Sequence, residues 1–318
     1  MTFDWLDDLL YNFAQTLGVE TFDLNPLVAV VLLGITCGIV GSLVVGNRMA
    51  FFSDAMSHTA FAGVGLALFG IVVTTGIRSP LEADQYDWII PVVMVALGTI
   101  VGIGIGYVRE RTGLTNDTVI GVFFALAVGI GAMFLPEARK FVNIDPDHFL
   151  YGSVALARGE DLFILFVLGL ITSAVVAWRY NGLVFASFNP SLARSRGIAI
   201  RFNNYLLIVL LVLVVNLSIK SIGVLLINAL LVVPAAAAAN LGRNLRQVFW
   251  LTLAGSVGAG VIGLQISQRV SIGIGGGRTM DFGPGGTIIV ICVFWFFATM
   301  VVATLRGRKT GSSGDRSG

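Results

Sequence analysis

The chain has 318 residues, of which 56% are hydrophobic and 12% are charged, about half the roughly 25% charged fraction of an average soluble domain. This composition excludes a soluble enzyme of this length, and a net charge of +2 without a basic stripe gives no indication of nucleic-acid binding. The apolar residues come in runs near 20 residues, which match the ~30 Å hydrocarbon core of a bilayer. Because lipid satisfies no backbone amide, each run must be helical. The sequence therefore predicts an all-α, polytopic membrane protein.

The predicted elements follow in chain order. Residues 1–25 carry five acidic residues and no basic one, so they differ from a signal peptide, and their apolar spacing predicts an amphipathic helix on the membrane surface. One transmembrane domain is predicted over 26–305, and the segment 306–318, rich in Gly and Ser at its end, is predicted to be a disordered tail. The predicted spans are 26–45, 50–75, 88–107, 115–135, 160–178, 202–219, 222–240, 248–267 and 287–305.

The positions of Lys and Arg predict the orientation of these spans. When the N-terminus is placed outside, 13 of the 20 basic residues fall in loops on the inner side. Cytoplasmic loops carry the excess of Lys and Arg. We therefore expect an outside N-terminus and an inside C-terminus.

Asp54 and His58 are the leading candidates for chemistry. They are four residues apart at the start of the second span, so on a helix they share one face. A carboxylate oxygen and an imidazole nitrogen together can hold one divalent cation, and the mixed donors suit Zn, Mn or Fe better than Mg or Ca. The alternative is structural: Asp54 caps the helix and His58 hydrogen-bonds a neighbouring helix. The spacing by itself leaves both interpretations open.

Five segments, taken in order, carry a family resemblance. The first contains Ser53-Asp54-Ala55-Met56-Ser57-His58, and the fourth begins Phe188-Asn189-Pro190. Together they resemble the zinc/manganese/iron ABC permease family, although Asn116 and Asn189 stand where that family often has acids. The five segments are Gly46–Gly65, Asn116–Phe124, Asp147–Ser153, Phe188–Gly197 and Gly223–Ala236.

This resemblance implies a type II importer-like permease in the bacterial cytoplasmic membrane. It further implies that Asp54 and His58 line the path and bind manganese, zinc or iron in passage, with no permanently bound cofactor. The implied partners are a separate ATP-binding cassette subunit, an extracytoplasmic metal-binding protein and a second permease copy or paralogue. A short helix starting at Pro190 would dock on the ATPase, with Asn189, Pro190, Ala193 and Gly197 as the coupling residues.

Four further features have more than one interpretation. His148, in an acidic outside loop, fits a cation relay, a contact for an extracellular binding protein or an ordinary solvated loop. Asn228 and the carbonyl freed by Pro234 fit helix-to-helix hydrogen bonding or a cavity lining. Asp117 fits a helix cap or an acid behind the metal pair, with the cap favoured. The glycines of Gly102–Gly106 imitate a dinucleotide fingerprint but lie in a membrane run, so we reject that function.

Two other classes of function compete with the importer. The chain contains no Gly-x4-Gly-Lys-Ser/Thr motif, so it is predicted to be no enzyme, and an ATP-driven importer would need its ATPase as a separate chain. The alternative is an ion-coupled secondary transporter, a class that often shows internal repeats, and no convincing repeat is present. A membrane scaffold would leave the intramembrane Asp54 and His58 unexplained.

Overall fold

The computed structural model describes residues 21–75, 88–138, 154, 159–188, 190–274 and 278–312. Within these residues, nine helices are long and apolar enough to cross a membrane, which confirms the predicted fold class. The predicted amphipathic helix over 1–25 lies almost entirely outside the described residues. The elements are α1 Thr21–Gly46, α2 Phe52–Thr75, α3 Ile89–Thr112, α4 Asn116–Ala138, α5 Gly159–Phe188, α6 Pro190–Ser195, α7 Ile200–Ile222, α8 Val224–Leu241, α9 Leu245–Arg269, β1 Ser271–Ile274, β2 Arg278–Asp281 and α10 Pro284–Ser312.

The largest differences from the predicted elements lie in α5, in α10 and in the segment before α10. Helix α5 continues to Phe188, with a break from helical geometry at Arg179 (φ −109°, ψ 17°). Helix α10 continues to Ser312, so the first part of the predicted tail is helical. Arg306, Arg308 and Lys309 are good helix formers in this part. The glycine-rich segment before α10 contains an antiparallel hairpin of β1 and β2, with Ser271 opposite Asp281. The sequence did not predict these two strands, because four residues each are too few for an alternating hydrophobic pattern to be recognised among glycines.

The chain forms two compact units. The first unit contains α1 to Val45, the start of α5 to Gly169, and everything from Leu225 onward. The second unit contains α2, α3, α4, the rest of α5, α6 and α7. Each unit is assembled from separate stretches of chain, and composition along the sequence carries no sign of such interleaving.

In the first unit, α8 is held to α9 through a proline. Pro234 lacks an N–H, so it leaves the carbonyl of Leu230 without its helical partner. The buried Ser256 hydroxyl of α9 donates to that carbonyl over 3.0 Å. The freed carbonyl thus serves helix packing, which is the structural interpretation of Pro234.

In the second unit, α3 packs on α7 along a row of glycines at every fourth position. A side chain at Gly98, Gly102 or Gly106 would collide with α7, for instance with Ile208 and Val212 at Gly102. Small residues let membrane helices approach closely, where dispersion contacts replace the missing hydrophobic drive. Gly102 and Gly106 of the fingerprint-like sequence therefore belong to a packing surface.

Candidate functional site

The candidate site lies at the start of α2 in the second unit. Asp54 is in the first turn of the helix, and Asp54 and His58 are both half-buried while the residues between them are buried. As an i, i+4 pair they occupy one face of α2, with Cβ atoms about 5–6 Å apart. The structure therefore keeps the two predicted ligands on one helical face.

The imidazole of His58 lies between aromatic rings. Its centroid is 4.7 Å from the Phe124 ring of α4 in an edge arrangement and 6.2 Å from the Phe61 ring. Edge-to-face contacts of this kind fix ring orientation. Phe124 thus positions the His58 ring, a role that the sequence did not reveal.

The neighbouring hydroxyls of α2 donate within their own helix. Ser57 donates to the Ser53 carbonyl over 2.9 Å, and Thr59 donates to the Ala55 carbonyl over 2.8 Å. Both bonds pair a side-chain donor at i with the carbonyl at i−4, so this end of α2 carries its polar groups without needing water.

A tight turn leads into the site. Arg48 has a left-handed backbone (φ 55°), which is uncommon for a residue other than glycine. The Asn116 side-chain amide donates to the carbonyls of Asn47 and Arg48 over 3.2 and 3.3 Å. The first residue of α4 thereby holds the turn that starts α2.

The same turn is tied to the end of α5. The Asn47 amide donates to the Ser187 hydroxyl over 2.6 Å, and that hydroxyl donates to the Leu183 carbonyl over 2.7 Å. Asn47, Asn116 and Ser187, the turn clamp, thus connect α2, α4 and α5 at one end of the second unit. The partners of Asn47 lie 69 and 140 residues away.

The start of α4 corrects the predicted cap. Helix α4 begins at Asn116, and the Thr115 hydroxyl accepts from the Thr118 N–H over 3.4 Å. Thr115 is therefore the capping residue, and Asp117 lies exposed in the first turn, where a negative charge suits the helix dipole. The cap lies two residues before Asp117 because α4 begins at Asn116, directly after Thr115.

The predicted short helix after Asn189 is present as α6, Pro190–Ser195. It ends in a Schellman motif: the N–H of Gly197 donates to the Arg194 carbonyl and that of Ile198 to the Ala193 carbonyl, with Gly197 at φ 68°. Ala193 is fully buried. Asn189 lies outside the described residues, so three of the four predicted coupling residues begin, anchor or end this helix.

Within the described part of the chain, the other candidates contribute no further ligand. His148 lies outside the described residues. Among the described ones, no group of three or more His, Cys, Asp and Glu side chains could hold a metal ion. Asp54 and His58 therefore supply two donors, fewer than the four of a structural metal site.

Fold and site together define a polytopic membrane permease with an ionisable pair on one of its spans. The sequence profile of the ABC 3 transport family matches residues 20–303, and the chain belongs to this family. It is accordingly a permease subunit of an ABC transporter, with ATP hydrolysis assigned to a separate subunit. This membership decides against the ion-coupled secondary transporter.

Curated relatives and a solved structure resemble the chain over most of its length. It is 28% identical to "Manganese import system permease protein ScaB" of Streptococcus gordonii, covering 93% of this chain and 96% of the relative. It is 24% identical to "Probable iron transport system membrane protein" of Haemophilus influenzae, covering 96% and 100%. The structure of PsaBC from Streptococcus pneumoniae in complex with Fab matches with a TM-score of 0.69 at 25% identity, covering 91% of this chain and 94% of that one.

Proposed function

We propose that this chain is the permease subunit of an ATP-driven importer for a divalent transition metal in the bacterial cytoplasmic membrane. Manganese is the favoured cargo, with iron second and zinc third, since relatives named for manganese and iron transport match nearly the whole chain. The observation that carries the proposal is the pair of Asp54 and His58 on one face of α2.

A pair of donors suits passage better than storage. An ion in transit must be bound tightly enough to enter and weakly enough to leave. Carboxylate plus imidazole accepts several first-row ions, and two protein donors leave the remaining positions to water or to other groups along the path. Asp54 and His58 are therefore proposed as transient ligands, with the metal as substrate.

Coupling to the ATPase is proposed to run through α6. Buried Ala193 fixes this helix while Arg194 and Arg196 face outward, so a partner subunit can reach the two guanidinium groups. The segment before α6 contains Ser187, which bonds Asn47 in the turn before α2. A movement of α6 would thus reach the helix of Asp54 and His58 through one hydrogen bond.

The remaining partners follow from the importer class. An extracytoplasmic metal-binding protein would deliver the ion, and a second permease, a copy of this chain or a paralogue, would complete the pore. Asn189, Pro190, Ala193 and Gly197 remain the proposed coupling residues of each permease.

The test compares carboxylates in the first turns of two neighbouring helices. Asp54→Asn and His58→Gln are expected to lower metal uptake under limiting manganese at least about tenfold. Mutation of a group that only orients a metal ligand costs about 10–100-fold in metal affinity or activity, and the loss of the ligand itself should cost no less. Asp117→Asn, which removes an exposed carboxylate from α4, should leave uptake near wild type. Uptake is measured with radioactive manganese at matched membrane levels of each variant.

Two results would contradict the proposal. Wild-type uptake by both Asp54→Asn and His58→Gln would make the pair structural. Equal losses of uptake in all three variants would show that any change at this end of the second unit disturbs the fold. Phe61→Leu is a further control, because it alters the aromatic contact of His58 and removes no ligand. It distinguishes a loss of packing around His58 from a loss of metal coordination.

A further inference from the structure

A cavity of about 450 Å³ lies in the second unit where α5 bends and α7 begins. The cavity is lined by one cationic side chain, by aromatic side chains and by backbone groups. No acidic side chain lines it in the described part of the chain. The residues that matter here are Ala177, Trp178, Arg179, Ala199 and Asn203.

Arg179 is the charged group of this cavity. Its guanidinium carbon lies 5.0 Å from the Trp178 ring centroid and 4.8 Å from that of Phe202, so cation–π contacts hold the guanidinium plane. Its Nε is buried and has no hydrogen-bond partner among the described residues. A buried donor without an acceptor is costly, and the orientation of this one is already fixed.

Two more groups at the cavity also lack partners. No side chain caps the N-terminus of the 23-residue helix α7 at Ala199, where the unpaired N–H groups of a helix favour an anion. Asn203 is 2% exposed; its amide donates to the Ala199 carbonyl over 3.0 Å, and its Oδ1 has no donor. The cavity thus offers donors for an anion and one acceptor for a hydroxyl.

The depth of the cavity is indicated by its aromatic neighbours. Trp178 and Tyr180 are 76% and 36% exposed at the end of the apolar part of α5. Exposed Trp and Tyr at the ends of membrane spans lie at the level of the lipid headgroups. Phosphate groups of lipids are therefore the anions nearest to Arg179.

We propose that this cavity binds the headgroup of an anionic phospholipid of the phosphatidylglycerol type. The phosphate accepts from Arg179 and faces the N-terminus of α7, and a glycerol hydroxyl donates to Asn203 Oδ1. Basic pockets between membrane helices bind such headgroups. A phosphatidylcholine headgroup would bring a trimethylammonium group, which has no hydroxyl for Asn203, towards the guanidinium.

The test uses the full-length chain in mild detergent, titrated with phosphatidylglycerol and observed by native mass spectrometry. Arg179→Met should weaken binding of one phosphatidylglycerol per chain about tenfold, as expected for the loss of a charge-assisted hydrogen bond. Arg111→Met is the matched control, because Arg111 is exposed and also stacks on an aromatic ring, 5.5 Å from Tyr107. Equal binding by the two variants would overturn the proposal.

A second pair of variants tests the charge of the cavity without touching Arg179. Ala177 lines the cavity and is exposed, so a larger residue there leaves the packing intact. Ala177→Glu should weaken phosphatidylglycerol binding, and Ala177→Lys should not. Unchanged binding by Ala177→Glu would contradict the proposal even if Arg179→Met fails to fold.

The source of the phosphate is decided by competition. Phosphatidylcholine should fail to displace the bound phosphatidylglycerol, and inorganic phosphate at millimolar concentration should fail as well. Displacement by inorganic phosphate would assign the cavity to a soluble anion and overturn the lipid proposal.

Discussion

At the scale of single residues, a strained turn is stabilised by distant side chains. A left-handed backbone costs a residue other than glycine roughly 1–2 kcal/mol, and Arg48 adopts it immediately before α2. The two bonds from Asn116 and the bond to Ser187 offset this cost. The turn clamp therefore fixes where α2 begins and so where Asp54 lies.

Removal of the Asn116 amide should loosen this turn. Asn116→Ala is expected to lower stability by about 1 kcal/mol and to weaken metal uptake, because the start of α2 loses its support from α4. Arg48→Gly should recover part of the lost stability, since glycine adopts positive φ without strain. Thermal unfolding of the two single variants and the double variant in detergent measures both effects.

The contradicting outcome is a silent substitution. If Asn116→Ala leaves both the thermal stability and metal uptake unchanged, the clamp has no part in positioning α2.

At the scale of elements, α6 is shaped by its ends. A six-residue helix has little stability of its own, since isolated helices shorter than about 12–15 residues are marginal in water. Buried Ala193 and the Schellman motif at Gly197 therefore keep it formed. The sequence pattern predicted these residues through resemblance, and the structure gives a physical reason for Ala193 and Gly197.

Two glycine substitutions distinguish the backbone conformation of Gly197 from the space around it. A Cβ at Gly197 or at Gly121 would meet nothing within 4 Å, but Gly197 alone of the two has a positive φ, 68°. Gly197→Ala should destabilise the end of α6 by about 1 kcal/mol and reduce co-purification of the ATPase subunit. Gly121→Ala, inside α4, should leave both unchanged or raise stability slightly.

One result would contradict the coupling role of α6. If Gly197→Ala and the wild type recover equal amounts of the ATPase subunit at unchanged expression, the shape of α6 is not needed for binding that subunit.

At the scale of the molecule, the described arginines of the second unit lie at one end of it. The turn before α2, the end of α3, the end of α5 and the start of α7 meet there through the Asn47–Ser187 bond and the Arg201–Glu110 ion pair of 3.6 Å. Five arginines belong to these segments, with Arg179 at the kink of α5, and two more follow in α6 and its C-terminal turn: Arg48, Arg109, Arg111, Arg179, Arg201, Arg194 and Arg196. The positive-inside rule predicts that this end faces the cytoplasm.

Single-cysteine labelling tests this orientation. Both native cysteines are buried, so they should not react with the label, and they can also be replaced by Ala. A new cysteine at Arg111, exposed at the end of α3, should react with a membrane-impermeant maleimide only after the cells are opened. A new cysteine at exposed Trp88, before α3, should react in intact cells, and the reverse pattern would contradict the predicted orientation.

The sequence by itself determined the spans and the relation of Asp54 to His58 on one helix. Each apolar run must satisfy its own backbone in lipid, and the i, i+4 relation of Asp54 and His58 is fixed within one turn, so both are local properties. Gly223 also indicated the break between α7 and α8, and the structure gives the reason, since this residue takes a positive φ of 95°.

The tertiary structure alone decided which distant residues meet. Phe124 against His58, Asn116 and Ser187 on the turn at Asn47, and the interleaving of two units join parts of the chain up to 140 residues apart. Hydropathy and periodicity record which face of a helix is apolar, whereas the neighbour of that face depends on how helices pack. Most helices of this chain are apolar all round, so their sequences do not specify which helix packs on which. The side chains that meet between helices and the cavity at Arg179 are determined by that packing.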